Sequence, residues 1–182
     1  APDAGARRLV AEDQVILVDE QDREIGTLEK IAAHEGGGVR HRAFSVFVAD
    51  SRGRWLLQKR AAGKYHFPNL WTNACCSHPR PGEDTAAAAH RRLREELGVD
   101  CPLTERFQFE YKAESAAGGL TEHEVDHVFT GVFDGEVKPN PGEVGEVRWT
   151  APADLEREVR ENPGAFTPWF KIAFDRVRGL LP

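Results

Sequence analysis

Cys76 and His78 stand two residues apart in the chain, and so do Glu122 and Glu124. In extended backbone that spacing points both side chains of a pair to one side, so each pair can aim into a single cavity. His34 and His41 flank the run Gly36-Gly37-Gly38 and could fold back onto the same point. The set then offers three imidazoles and two carboxylates. Such a mixture of nitrogen and oxygen donors suits Zn²⁺, Mn²⁺ or Mg²⁺, and five donors exceed a closed tetrahedral zinc site. The spacing of the three histidines matches no zinc-finger pattern. Taken singly, a histidine is more often a surface or hydrogen-bonded residue, and TEHEVDH (Thr121–His127) could be a solvated strand end.

Cations gather around the same motifs: Lys30, Arg60, Lys64, Arg91 and Arg92. Arginine and lysine are natural partners of phosphate oxygens, although each alone is ordinarily a solvated side chain. Arg92 precedes Glu96 by one helical turn, so both can face one object. A cation beside a metal-binding carboxylate suits a metal-bound phosphate. Trp169 follows Pro168 at a helix start; core packing is its default, but facing a cavity its ring could stabilise a cation.

The elements that must position these groups follow from pattern. Val15–Val18 is a short apolar strand followed by a turn at Asp19–Asp22. Leu28–Ala33 is a short helix with Thr27 as its N-cap, broken at the glycines. Ala43–Ala49 and Trp55–Arg60 form a hairpin across Asp50–Gly53. Glu83–Val99 is a helix capped by Asp84 or Thr85 and closed by Gly98. Phe107–Lys112 and Val125–Phe133 alternate and make a second hairpin, and Glu146–Trp149 is a further strand. A helix over Ala151–Arg160 and a last one from the Thr167-Pro168 cap to Leu180 complete the chain, the latter with Phe170, Phe174, Val177 and Leu181 on its apolar face. Strands, one central helix, strands and terminal helices argue a single α+β domain over residues 1–182, with 1–13 as a loose leader.

Bulk composition narrows the function. With 40% hydrophobic and 30% charged residues the chain is an ordinary globular protein. Its net charge of −6 argues against nucleic acid as a partner, so an anionic substrate needs a local basic pocket or a metal. No run is long enough for a membrane helix and no signal peptide is evident, which points to the cytoplasm. Three cysteines, two of them adjacent, make a poor disulfide framework and fit reduced thiols; Cys101 reads as a packing residue. No methionine occurs, so the numbering is expected to begin inside the native product.

At these residues the sequence resembles the type I isopentenyl-diphosphate Δ-isomerases, the metal-dependent Nudix-like form, from about Val15 to Phe174. The segments that carry the resemblance are GTLEKIAAH (Gly26–His34), HRAFS (His41–Ser45), LWTNACCSHP (Leu70–Pro79), HRRLREELGV (His90–Val99), TEHEV (Thr121–Val125) and FTPWF (Phe166–Phe170). The fold it implies is Nudix-like, with mixed or antiparallel curved sheets packed around a central Nudix-type helix and C-terminal helices. The activity it implies is conversion of isopentenyl diphosphate to dimethylallyl diphosphate, by adding a proton to one face of the alkene and removing another from the opposite side. The resemblance makes Cys76 and Glu124 the acid/base pair, with Tyr111 near Glu124 and Trp169 facing the tertiary carbocation. It makes His34, His41, His78, Glu122 and Glu124 the ligands of a divalent metal (Mn²⁺ or Zn²⁺), and Glu96 the ligand of a Mg²⁺ carried in with the diphosphate. Lys30, Arg60, Lys64 and Arg92 would hold the phosphate oxygens. A small-molecule substrate, no membrane, and a monomer or weak dimer complete the expectation.

The same helix compares with the hydrolase pattern G-x5-E-x7-R-E-U-x-E-E-x-G-U. Glu83, Arg91, Glu95, Glu96 and Gly98 fit it, whereas Ser77 replaces the first Gly and Arg92 replaces the Glu after Arg. The lost carboxylate weakens a metal set for water activation, and the gained cation favours holding a diphosphate intact. A Nudix hydrolase cleaving a diphosphate-containing substrate is therefore the second reading. A non-catalytic metal-binding protein on the same fold is the third, and it would leave Cys76 dispensable.

Overall fold

The computed structural model describes residues 14–115 and 119–182; the leader expected over 1–13 lies outside them. The strand that places the site is β3 (His41–Ala49), buried at eight of its nine positions. Its even-numbered residues Phe44, Val46 and Val48 pack with Ala88, Ala89, Leu93 and Leu97 of α2 (Thr85–Leu97). Its odd-numbered residues Phe47 and Ala49 pack on the opposite face with Leu155 of α3 (Pro152–Glu161) and Phe170, Phe174 and Val177 of α4 (Pro168–Arg178). Burial on both faces is why AFSVFVA reads as a nearly continuous apolar run.

Partners line both edges of β3. Along one edge β8 (Thr121–Val132) runs parallel, with His41 opposite Glu124 and Ala43 opposite Asp126. Along the other come β1 (Gln14–Val18), at Leu17, and then β6 (Cys75–Ser77), with Ser45 opposite Cys76 and Val46 opposite Cys75. Beyond β1 lies β2 (Glu24–Glu29), and beyond β8 lies β7 (Thr104–Glu114), antiparallel with Tyr111 opposite Glu124. The strand β4 (Trp55–Arg60) pairs with β5 (Trp71–Thr72) and with β9 (Val144–Thr150). The expected α+β architecture, with a mixed sheet system, a central helix and C-terminal helices, is the one observed.

Several local expectations change. The hairpin of β3 and β4 is joined through a single pair, Ala49 with Trp55, because β6 and β8 take the ladder positions of β3. The first helix, α1, spans Lys30–His34 and is capped by the Glu29 carboxylate, which accepts from Ala32 N at 2.8 Å; Thr27 instead sits in β2 opposite Ile16. Asp84, not Thr85, caps α2, accepting from Ala87 N at 3.0 Å, and Gly98 closes it at φ 62°. The last helix stops at Arg178; Thr167 and Pro168 open it as expected, but the Thr167 hydroxyl pairs with Thr72 at 2.8 Å and makes no side-chain cap bond. The strand β8 begins four residues before Val125, at Thr121, so Glu122 and Glu124 are interior strand residues, not a solvated end.

Candidate metal centre and catalytic pocket

His34 ends α1, His41 opens β3, His78 follows β6, and Glu122 and Glu124 lie on one face of β8. Their ligand atoms all fall within 4.8 Å of one another, and four of the five residues are buried. The imidazoles are aimed by the backbone. His34 Nδ1 donates to Lys30 O at 2.6 Å and His41 Nδ1 to Val39 O at 2.7 Å. That fixes the proton on Nδ1 and leaves each Nε2 lone pair facing the cluster. His41 Nε2 lies 3.2 Å from His78 Nε2, and His34 Nε2 lies 3.1 Å from Glu122 Oε2. The lone pairs of His34 and His41 thus converge with two carboxylates and the His78 ring on one point, a mixed nitrogen and oxygen donor set that fits a divalent metal.

Charge follows the same logic. Burial drives His41 down to about 4 and His78 well below the ordinary histidine value, which keeps both neutral and ready to ligate. Burial alone would raise Glu122, but His34 and His66 hold it well below the usual carboxylate range. His66 was not anticipated from the sequence. Its Nε2 meets Glu122 Oε1 from the β4–β5 loop, where it stands in KYHF (Lys64–Phe67).

Beside the metal cluster a tight pocket of about 40 Å³ is lined by Cys76, Tyr111, Glu124, Asp126 and Trp169, among others. Lys30, Lys64, Ser77, His78 and Arg92 border it and also a wider basin of about 400 Å³. Register decides which thiol reaches the pocket. Cys76 lies opposite the odd-numbered Ser45, on the α4 face, while Cys75 lies opposite Val46 and enters the α2 core. Burial pushes the Cys76 thiol up to about 12, so it is protonated at neutral pH. Thr72 and Asn73 brace this strand: Asn73 Nδ2 donates to Val46 O at 3.0 Å and Cys75 O at 2.8 Å, and Thr72 Oγ1 lies 3.9 Å from Cys76 Sγ.

Tyr111 stands opposite Glu124 across the β7–β8 ladder, though no hydrogen bond joins them among the described residues. Trp169 packs with Phe67 and Tyr111, and the Arg60 guanidinium lies 5.4 Å from its ring centre. Two of Arg60's nitrogens are already spent on the carbonyls of Phe67 (3.0 Å) and His66 (3.2 Å). Lys64 and Arg92 both reach Glu143, which sequence reasoning also missed. Burial, then the charges of Lys64 and Arg92, pull Lys30 below the ordinary lysine value. Glu96 is buried at the same place, accepting from Arg92 at 2.8 Å and Gln58 at 3.1 Å. Glu83, by contrast, is bound in a fork by Arg91 at 2.7 and 2.9 Å. Asp126 was missed too, although it continues the two-residue rhythm of Glu122 and Glu124. It is buried, its Oδ2 accepts from Ser45 Oγ at 2.7 Å, its Oδ1 has no partner among the described residues, and burial pushes its carboxyl up to about 8.

A mixed sheet clasped between α2 and the C-terminal helices, with the α2 carboxylates turned toward a basic pocket, is the arrangement of a Nudix-domain protein. Residues 39–170 match the family described as NUDIX domain. DR0079 of Deinococcus radiodurans has the same fold, with a TM-score of 0.72, 21% identity, and coverage of 90% of this chain and 98% of that one. A MutT protein of Methanosarcina mazei superposes with a TM-score of 0.59 at 18% identity over 75% of this chain and 91% of that one. Curated relatives go further. The isopentenyl-diphosphate Delta-isomerase 2 of Aromatoleum aromaticum is 52% identical over 91% of this chain and 87% of its own length. The isopentenyl-diphosphate Delta-isomerase of Nocardia farcinica is 50% identical over 85% of this chain and 89% of its own. The chain belongs to the isopentenyl-diphosphate Delta-isomerase family of Nudix-domain proteins.

Proposed function

We propose that this protein is an isopentenyl-diphosphate isomerase, converting isopentenyl diphosphate to dimethylallyl diphosphate through proton addition and removal at carbon. The observation that carries the chemistry is the placement of Cys76 and Glu124. They reach one pocket from β6 and β8, which flank β3 on opposite edges. That opposition supports a reaction in which one residue protonates the terminal alkene carbon and the other removes a proton from the far side. The protonated Cys76 thiol supports an acid/base role over a nucleophilic one. Between the two steps, positive charge sits on the tertiary carbon, where no hydrogen bond helps. The Trp169 ring is the neighbouring group suited to face it, and Trp169, Tyr111, Glu124 and Asp126 around it are all buried. Tyr111, opposite Glu124, is suited to place or relay its proton.

Lys30, Lys64 and Arg92 would receive the diphosphate in the basin, with Arg60 at the pocket's inner wall. Binding energy from these charges, remote from the reacting carbons, positions the alkene. His34, His41, His78, Glu122 and Glu124 would hold a divalent cation, read as Mn²⁺ or Zn²⁺, which would supply positive charge beside Glu124, and Glu96 would hold a Mg²⁺ that offsets the charge of the diphosphate. Three free cysteines, two of them buried, support the cytoplasmic reading.

Incubation with isopentenyl diphosphate and Mg²⁺ in D₂O, with and without Mn²⁺ or Zn²⁺, tests the proposal by combined proton and phosphorus NMR. Deuterium-bearing dimethylallyl diphosphate with no free phosphate is expected. Phosphate release without alkene movement would put hydrolysis first.

A further inference from the structure

We propose that His66 is a positioning residue of the metal centre, donating an Nε2–H hydrogen bond to Glu122 so that the other carboxylate oxygen is aimed at the ion. The inference rests on reading His34, His41, His78, Glu122 and Glu124 as the ligands.

The two oxygens of Glu122 have different neighbours. Oε2 faces the metal cluster, 3.1 Å from His34 Nε2 and 3.9 Å from His41 Nε2. Oε1 meets His66 Nε2. His66 does not belong to the group whose ligand atoms lie within 4.8 Å of one another, so it approaches the carboxylate from outside that group. Its tautomer separates it from His34 and His41; from His78, whose Nδ1 is likewise buried without a partner among the described residues, it is separated by lying outside the ligand group. His34 and His41 spend Nδ1 on backbone carbonyls, which leaves Nε2 free to ligate. His66 Nδ1 is buried with no hydrogen-bond partner among the described residues. A neutral ring then gains most by placing its proton on Nε2, where the carboxylate accepts it; the other tautomer would set a lone pair against an anion. The contact with Glu122 is thus the polar engagement that explains an imidazole at a site only 5% exposed.

The ring is held for this task. It stacks on Tyr65 with centroids 4.1 Å apart. Arg60 grips the backbone on which it rides, at His66 O and Phe67 O, and Phe67 N donates to Ser115 Oγ at 3.1 Å. A carboxylate free to turn about its last bond loses directed affinity for an ion. Partners of this kind typically contribute about 10- to 100-fold in metal affinity.

The test is Mn²⁺ titration of chelator-stripped protein against a competing fluorescent chelator, for wild type, H66F, H66Q and H41A. H66F keeps an aromatic ring against Tyr65 but has no donor; it is expected to weaken Mn²⁺ binding about 10- to 100-fold. H66Q, which retains an amide N–H, is expected to recover most of that loss. Pulsed EPR of bound Mn²⁺ should count the same number of coordinated imidazoles in wild type and H66F. Wild-type affinity in H66F, with H41A binding poorly, would overturn the role of His66 alone. One fewer imidazole in H66F would make His66 a ligand and overturn the positioning role. Wild-type affinity in H41A would overturn the ligand assignment and this inference with it. Should H66F fail to fold, H66L against H66Q makes the same comparison.

Discussion

Cys75 and Cys76 differ by one position and by the face of the sheet they reach, and that single difference separates packing from chemistry. Cys75 is fully buried against α2 residues, so Cys75→Ala should cost about 1 kcal/mol of stability and leave turnover intact. Cys76→Ala and Glu124→Gln should each lower turnover by at least about 10²- to 10⁴-fold with unchanged circular dichroism. The NMR assay reads the first effect and thermal melts the second. Near-normal turnover in Cys76→Ala would remove the acid/base pair and favour a non-catalytic protein on this fold.

At the scale of elements, the metal centre depends on a turn. His34 and His41 hang on either side of Gly38, whose φ is 77° and whose added Cβ would come within 2.9 Å of Thr121 O on β8. A side chain there would strain the backbone and push the turn away from the strand that carries Glu122 and Glu124. Gly38→Ala should therefore destabilise the protein by more than about 1 kcal/mol and weaken Mn²⁺ binding in the same titration. Gly36, also at positive φ but with nothing within 4 Å of an added Cβ, is the control: Gly36→Ala carries the backbone strain without the collision, so metal affinity should suffer less.

For the whole molecule, buried imidazoles make stability depend on pH and on metal. Burial, above all, lowers His41 and His66 from 6.5 to about 4 and takes His78 well below 6.5. Between those values the unfolded chain binds protons that the folded chain does not, so this stability is complete above about pH 6.5 and is lost as pH falls toward 4. Asp126, raised to about 8 by burial, and His34, raised by Glu122 against the effect of burial, act in the opposite sense, but three depressed histidines outnumber them. The Tm of chelator-treated protein should fall between pH 7 and pH 5. At pH 7, Mn²⁺ at about 100 times its Kd should add about 2.7 kcal/mol, read as a concentration-dependent rise in Tm.

Most of the longer elements could be read from the chain alone, because periodicity and residue type are local properties, whereas the short strands β2, β5 and β6 escaped. The two-residue spacings Cys76/His78 and Glu122/Glu124, the αL closure at Gly98 and the Pro168 helix start are all written in neighbouring residues. What those residues meet is set by the folded arrangement. The edge-by-edge pairing of β3 with β6 and β8, which opposes Cys76 to Glu124, depends on contacts between residues some 30 to 80 positions apart, and no local pattern encodes it. His66, Asp126 and Glu143 escaped sequence reasoning for the same reason. A histidine in a loop or an acid in a strand is ordinary until folding removes its water and gives it a buried partner.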